Sequence, residues 1–199
     1  MIAVIDVTGN NLTSLTNAIS RLGYQYMLTH NAQDLEKASH IILPGVGAAG
    51  VAMQALRYHH LTEILPQLSQ PILGICLGMQ LLLEHSEEDD VDCLKLIPGC
   101  AKRLPGKTDY PVPHMGWNRL LWHKASPLAQ GLHANDYVYF VHSYALLTTD
   151  YALAGCQYSQ SFTAIVQYKN IYGMQFHPEK SADVGLKLLN NFLQSEKRC

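Results

Sequence analysis

A cysteine between two glycines, where an apolar run gives way to a helical pattern, constrains the fold of this chain more than any other feature. Residues 71–75 form a short apolar run that predicts a buried strand, and the helical pattern begins at Leu77. Gly74 and Gly78 let the backbone pass close to itself, so Cys76 can sit in a sharp, strained turn with its sulfur exposed. This is the construction of a nucleophile elbow, with cysteine in the usual place of serine. The run therefore predicts a strand followed directly by a helix, with a reactive thiol at the junction.

Strand and helix patterns alternate at short intervals through the first half of the chain, which is typical of a parallel sheet with helices on both faces. The second half has closely spaced strand patterns separated by Pro and Gly, which indicate antiparallel pieces. We therefore expect one α/β domain over residues 1–199, a three-layer fold whose mostly parallel sheet, flanked by helices, carries an antiparallel extension. Strands are predicted at 2–5, 24–29, 38–43, 71–75, 137–146, 151–158, 162–168 and 170–176, and helices at 12–22, 51–68, 77–85 and 182–193.

The composition disfavours several classes of protein. With 48% hydrophobic and 15% charged residues the chain can bury a substantial core, and its net charge of −2 disfavours nucleic-acid binding. No apolar stretch is long enough to span a membrane. The five cysteines form no C-x-x-C pair and the ten histidines no H-E-x-x-H motif, so neither a disulfide framework nor a metal site is expected. This cysteine usage, and a start that resembles a first strand rather than a signal peptide, predict a cytoplasmic protein.

A histidine and a carboxylate about a hundred residues after Cys76 supply what such a cysteine lacks. In an extended chain, residues two apart project to the same side, so His177 and Glu179 can share one edge. Pro178 between them lacks an N–H and tends to end a strand there, beside a cleft. A helix that begins at Leu77 would favour the thiolate of the cysteine. The three side chains predict a triad in which Cys76 is the nucleophile, His177 the base and Glu179 the group that orients it.

The run at 45–50 matches the pattern G-x-G-x-x-G after a predicted strand and before a predicted helix. A dinucleotide site would need this loop after the first strand, and an acidic residue at the end of a second strand about 20 residues on. Glu63 stands near that distance but lies inside a helical pattern, so NAD(P) binding is disfavoured. We expect the loop instead to offer backbone N–H groups to a developing oxyanion, together with the N–H of Leu77.

Two further segments stay open on spacing alone. Ser143 and Tyr144 follow an aromatic strand, where they can hold a polar substrate or serve as ordinary edge residues. The segment at 113–118 contains an aromatic residue and little charge, and a packed turn accounts for it equally well.

The triad runs at 74–80 (GICLGMQ) and 177–179 (HPE) stand beside four other distinctive runs, at 44–47 (PGVG), 113–118 (PHMGWN), 139–144 (YFVHSY) and 175–181 (QFHPEKS). The triad runs closely resemble those of the class I (triad) glutamine amidotransferases. The four other runs are similar to those of one branch of that family, the glutaminase subunits of imidazole glycerol phosphate synthases. The resemblance extends from Ile2 to Phe192.

The resemblance implies a flavodoxin-like fold and hydrolysis of glutamine to glutamate and ammonia through a cysteine thioester, without a cofactor. It also implies a partner, a cyclase subunit with a (β/α)8-barrel fold, which receives the ammonia through an internal route. The cyclase makes imidazole glycerol phosphate and an aminoimidazole carboxamide ribotide in histidine biosynthesis.

The resemblance also implies roles for individual residues by matching position. Val46 and Gly47 match the oxyanion strand of the family. The positions that hold glutamine are matched by Gly47, Gln80, Ser143 and Tyr144, and interface or gate positions by Asn11, Trp117, Tyr139 and Lys180.

The chain departs from the family pattern in two places. Residues 6–12 read DVTGNNL where many members have DYGMGNL, and Ala49 stands where a phenylalanine often follows the glycine loop. Three alternatives to the synthase subunit stay open. They are a glutaminase subunit of another amidotransferase such as anthranilate synthase, a cysteine peptidase on a similar fold, and a binding module with a vestigial triad. The run at 113–118 argues against the first of these.

Overall fold

The computed structural model describes residues 1–6 and 12–195 of the chain. The strands pair within three sheets, and three short strands of the first half, Ile2–Ile5, His40–Leu43 and Ile72–Ile75, are buried on both faces. In chain order the strands are β1 (Ile2–Ile5), β2 (Tyr26–Thr29), β3 (His40–Leu43), β4 (Ile72–Ile75), β5 (His85–Ser86), β6 (Val91–Asp92), β7 (Cys100–Arg103), β8 (His114–Arg119), β9 (Leu121–Trp122), β10 (Tyr137–His142), β11 (Tyr144–Leu146), β12 (Ala152–Gln157), β13 (Ser161–Tyr168) and β14 (Ile171–Met174).

The main sheet has eight strands in the order β2-β1-β3-β4-β14-β13-β12-β9. The pairs from β2 to β14 are parallel, and those from β14 to β9 are antiparallel. The expected α/β fold, with a mostly parallel sheet and an antiparallel extension, is thereby confirmed. Beside it lie a ribbon of β10 and β8 and a sheet of four strands in the order β11-β7-β5-β6.

Helices cover both faces of the main sheet, because alternate strand residues point to opposite sides. On one face Val4 packs in a cluster with Leu15 and Phe192, and on the other Ile5 packs with Met53. These clusters form the two outer interfaces of the expected three layers. The helices are α1 (Thr13–Arg21), α2 (Ala32–Lys37), α3 (Ala49–Tyr58), α4 (Leu61–Ile64), α5 (Leu77–Leu81) and α6 (Ala182–Leu193).

The predicted helix at 51–68 is wrong in its continuity. It divides into α3 and α4 at His60, whose φ of 57° is left-handed and interrupts the helical hydrogen bonds. A short 3-10 turn at Leu65–Gln67 follows α4 and contains the proline of this segment. The predicted helix at 77–85 is also too long, since α5 ends at Leu81 and β5 begins four residues later.

The predicted strand at 137–146 is wrong in the same sense. It divides at Ser143, because β10 pairs with β8 while β11 pairs with β7 in another sheet. The chain therefore passes from one sheet to the next at this serine.

The short helix α2, for which no pattern was identified, is capped by Asn31, whose side chain accepts from the Gln33 N–H at 2.8 Å. Within the described residues no helix is both long and apolar enough to cross a membrane.

Candidate active site

Cys76 lies at the junction of β4 and α5 in a strained conformation. Its φ of 53° and ψ of −113° place a residue with a side chain in the region of φ that favours glycine. Its N–H donates to Met174 O at 2.8 Å, which ties the turn to the adjacent strand β14. A Cβ on Gly78 would lie 1.9 Å from Leu43 O, so only glycine allows α5 to begin this close to the end of β3. The backbone thus makes the close approach that the two glycines predict.

His177 and Glu179 reach the same edge of the sheet through the neighbouring strand. β14 is parallel to β4, with Met174 opposite Ile75, so the segments that follow the two strands leave the sheet side by side. The His177 N–H donates to Tyr139 O at 3.0 Å, and a short helical turn then carries Glu179. His177 Nδ1 lies 2.8 Å from Glu179 Oε1. A carboxylate oxygen accepts, so Nδ1 carries the proton and Nε2 is left for Cys76.

The pKa of His177 reflects this surrounding. Burial acts to lower it, but the hydrogen bonds and charge interactions with Cys76 and Glu179 outweigh burial and raise the pKa of His177 to about 9. The imidazole is therefore protonated at neutral pH, beside the sulfur of Cys76. An adjacent imidazolium stabilises a thiolate, which is the nucleophilic form of cysteine. The arrangement can thus supply a charged nucleophile and a proton donor together.

Cys76 opens into a cleft of about 370 Å³. The sulfur itself lies 3.6 Å from Val141 O and 3.9 Å from Gln175 Nε2. In the described parts of the chain, no group of three or more His, Cys, Asp or Glu side chains could hold a metal ion. The cleft brings together every residue expected to form the oxyanion hole or to hold glutamine, namely Val46, Gly47, Leu77, Gln80, Ser143 and Tyr144.

The glycine-rich loop forms one rim of this cleft. The side chain of Val46 is exposed, and Gly47 has a φ of +98°, a conformation that other residues rarely adopt. Leu77 is the first residue of α5, so its N–H has no acceptor within that helix. The loop and the start of the helix therefore line the same cleft as Cys76.

Carboxylates of the chain itself occupy the start of the helix after this loop. Glu88 Oε2 accepts from the Ala49 N–H at 3.0 Å, and Asp89 Oδ2 accepts from the Gly50 N–H at 2.9 Å. A dinucleotide pyrophosphate would need these same N–H groups at the start of α3. The structure therefore agrees with the interpretation of the G-x-G-x-x-G run as something other than a dinucleotide loop.

Three further residues of the site were assigned no role from the sequence, although Gln175 and Ser181 lie within the distinctive run at 175–181. Glu88 is the one carboxylate among the described residues that line the cleft, and burial raises its pKa. Gln175 is fully buried and contacts Cys76 through its amide nitrogen. The buried Ser181 hydroxyl donates to His177 O at 2.7 Å and accepts from the Tyr139 N–H at 2.9 Å. Each owes its place to segments distant in the chain, which local patterns cannot reveal.

Two of the four residues expected at a partner interface, Tyr139 and Lys180, lie beside the triad. Trp117 of β8 is 53% exposed, and its ring centroid lies 6.0 Å from that of Tyr139 on β10. Lys180 lines a second cavity of about 250 Å³, which Glu179 and His177 also line. Asn11, the fourth expected interface residue, lies outside the described residues.

A comparison with known protein families matches residues 3–195 to the family described as glutamine amidotransferase class-I. This chain belongs to that family. The fold agrees, because the chain is similar to the crystal structure of a glutamine amidotransferase from Thermotoga maritima, with a TM-score of 0.63 at 17% identity. That likeness covers 96% of this chain and 81% of the other. A second crystal structure of a glutamine amidotransferase gives a TM-score of 0.75 at 17% identity over 97% of both chains.

Two curated relatives of this amidotransferase carry the same subunit name. The imidazole glycerol phosphate synthase subunit HisH 2 of Legionella pneumophila (strain Lens) is 65% identical over 100% of both chains. The imidazole glycerol phosphate synthase subunit HisH of Xylella fastidiosa (strain 9a5c) is 50% identical over 98% of both chains. The resemblance to this branch of the family therefore extends over the whole chain.

Proposed function

We propose that this chain is the glutaminase subunit of an imidazole glycerol phosphate synthase. The observation that carries the proposal is its similarity, over the full length, to relatives that bear the name of that synthase's HisH subunit. The thiol–imidazole–carboxylate arrangement beside a cleft supports the glutaminase chemistry. The chain functions as one glutamine amidotransferase domain over residues 1–199.

In the first half of the reaction, the Cys76 thiolate attacks the side-chain amide carbon of glutamine. The carbonyl oxygen takes the electron pair and is held by the N–H of Leu77 and by backbone N–H groups of the loop at Val46 and Gly47. The His177 imidazolium then gives a proton to the departing nitrogen, so that the carbon–nitrogen bond breaks and ammonia leaves. A thioester of glutamate on Cys76 remains.

In the second half, His177 is neutral and takes a proton from water, which attacks the thioester carbonyl. The carbon–sulfur bond then breaks, glutamate departs, and the thiolate–imidazolium pair is restored. Glu179 keeps the proton on His177 Nδ1 throughout, because a carboxylate at 2.8 Å accepts only from a protonated nitrogen. The proposed chemistry needs no cofactor.

Substrate glutamine carries an ammonium and a carboxylate beside its reacting amide. Gly47, Gln80, Ser143 and Tyr144 offer polar groups around the cleft that can hold these ends. Glu88 adds a negative charge, which complements the ammonium. A peptide has a neutral amide in place of that ammonium, so the charge of Glu88 favours a free amino acid over a peptide.

The proposed partner is a cyclase subunit with a (β/α)8-barrel fold that uses the released ammonia. Trp117, Tyr139 and Lys180 are the residues that we assign to its docking face or gate, and the exposure of Trp117 supports this assignment. Cysteines 76, 93, 100 and 156 are all unpaired, which is typical of a reducing compartment. We therefore assign the complex to the cytoplasm.

Glutamate release from glutamine tests the proposal, measured with the purified chain, the cyclase and the ribonucleotide ligand of the cyclase. We expect strong stimulation by partner and ligand. Cys76→Ala should abolish product formation from glutamine and leave product formation from ammonia intact in the complex. Equal glutamate release with and without the partner would contradict the proposal, as would the loss of both activities in the variant.

A further inference from the structure

Two buried histidines form a pair beside the cleft, which His142 helps to line, and the proposed reaction uses neither. His114 of β8 and His142 of β10 face each other in the ribbon, with exposures of 3% and 6%. His114 Nδ1 lies 3.1 Å from His142 Nε2. Burial lowers the pKa of His114 to about 4 and that of His142 to about 3, so both rings are neutral at physiological pH.

The neighbours of the pair determine which ring nitrogens carry protons. His142 Nδ1 lies 2.9 Å from Tyr144 O, and a carbonyl oxygen only accepts, so Nδ1 is protonated. A neutral ring has one proton, so His142 Nε2 accepts, and the donor is His114 Nδ1. His114 Nε2 is then an acceptor, and Asn118 Nδ2 lies 3.5 Å from it. The hydrogen bonds thus run in one direction, from β8 towards the cleft.

The same network continues to the sulfur. Tyr144 O also accepts from Gln80 Nε2 at 2.8 Å, and the second hydrogen of that nitrogen goes to Gln175 Oε1 at 3.1 Å. Gln175 Nε2 lies 3.9 Å from Cys76 Sγ. Both N–H groups of Gln80 are thereby used within the protein, so the amide oxygen is the atom it offers to a ligand.

Packing alone does not account for imidazoles at these two positions. His114 stacks on Tyr158 and Phe140, with ring centroids at 3.9 Å and 4.9 Å, and phenylalanine would fill such a site without polar nitrogens to desolvate. A buried polar chain specifies one arrangement of its members, because each unmade hydrogen bond is costly there.

We propose that His114 and His142 are positioning residues for glutamine, which hold the Tyr144 carbonyl and the Gln80 amide in the orientation that the substrate requires. This inference rests on the proposed glutaminase function. The pair does not touch the reacting atoms, and it acts through residues that line the cleft. Loss of this hydrogen-bond network should therefore weaken the binding of glutamine more than it slows the chemical step.

Two variants of His142 separate hydrogen bonding from packing. His142→Phe keeps the shape of the ring and removes both bonds, whereas His142→Asn keeps an N–H close to the position of Nδ1. In the complex with the cyclase and its ligand, we expect His142→Phe to raise KM for glutamine about tenfold or more, with kcat changed less than about threefold. His142→Asn should stay within about threefold of the wild type in KM. Exposed His133 provides the matched control His133→Asn, for which no change is expected.

The failure of the proposed function and the failure of the positioning role give different results. Product formation from ammonia, measured in the same complexes, shows that the cyclase itself is active. If the wild-type complex forms no product from glutamine, the proposed function fails. If it does and His142→Phe retains the wild-type KM while His142→Asn loses it, packing is the role of the histidine and the inference fails. Should His142→Phe not fold, nitrogen-15 NMR of the wild type decides the matter, because protonation of His142 on Nε2 would overturn the network.

Discussion

Replacement of Glu179 by glutamine should uncouple the triad without breaking its geometry. Glu179 Oε1 lies 2.8 Å from His177 Nδ1. A glutamine side chain keeps an oxygen within reach of this nitrogen but removes the negative charge. The pKa of His177 should then fall, because one of the two groups that raise it has become neutral. Less imidazolium would be present to stabilise the thiolate of Cys76 and to give a proton to the departing ammonia.

The structure sets the size of this effect. The pKa of His177 stands at about 9 against an ordinary 6.5, which corresponds to about 3 kcal/mol in favour of the imidazolium. Cys76 and Glu179 provide this stabilisation together. Without the charge, the bond from His177 Nδ1 to residue 179 changes from a charge-assisted to an ordinary hydrogen bond, which costs about 1 to 2 kcal/mol, or about a tenfold loss of kcat/KM. His177→Ala, which removes the acid and base altogether, should cost far more.

The assay is kcat/KM for glutamine between pH 6.5 and 9.5, in the complex with the cyclase. A group whose pKa is raised keeps its proton until the pH rises through the raised value, so wild-type activity should decline only near pH 9. In Glu179→Gln the decline should begin at lower pH, and the difference from wild type should grow as the pH increases. Exposed Glu63 provides the control Glu63→Gln. An unchanged alkaline decline in Glu179→Gln would refute the assigned role of the carboxylate.

Three further substitutions test other parts of the site. Gly78→Ala should destabilise the fold and abolish glutaminase activity, because the added Cβ would lie 1.9 Å from Leu43 O. The control is Gly106→Ala, whose Cβ would have its nearest contact at 3.8 Å. This variant should unfold in urea as the wild type does. Ser181→Ala should lower the free energy of unfolding by about 2 kcal/mol and reduce kcat, because it removes two buried hydrogen bonds; unchanged urea unfolding would contradict this. Glu88→Gln should raise KM for glutamine about tenfold with little change in kcat, and an unchanged KM would remove Glu88 from substrate binding.

Local patterns in the sequence determined the framework of this protein. The apolar runs around Cys76 and before His177 predicted strands, and the structure has β4 and β14 in those places. The two glycines of the elbow predicted a close backbone approach, because only a residue without Cβ fits there. These features are legible in the chain since strand periodicity, glycine spacing and turn chemistry act over a few residues.

Tertiary structure alone decided how distant segments meet. The predicted strand at 137–146 divides at Ser143 because its two halves find partners in different sheets, and the helix at 51–68 breaks at His60. Gln175 contacts Cys76, and His114 meets His142, only because parallel and antiparallel pairing brings their strands together. Such contacts depend on which strands become neighbours, and that outcome is set by the burial of the whole chain rather than by any local pattern.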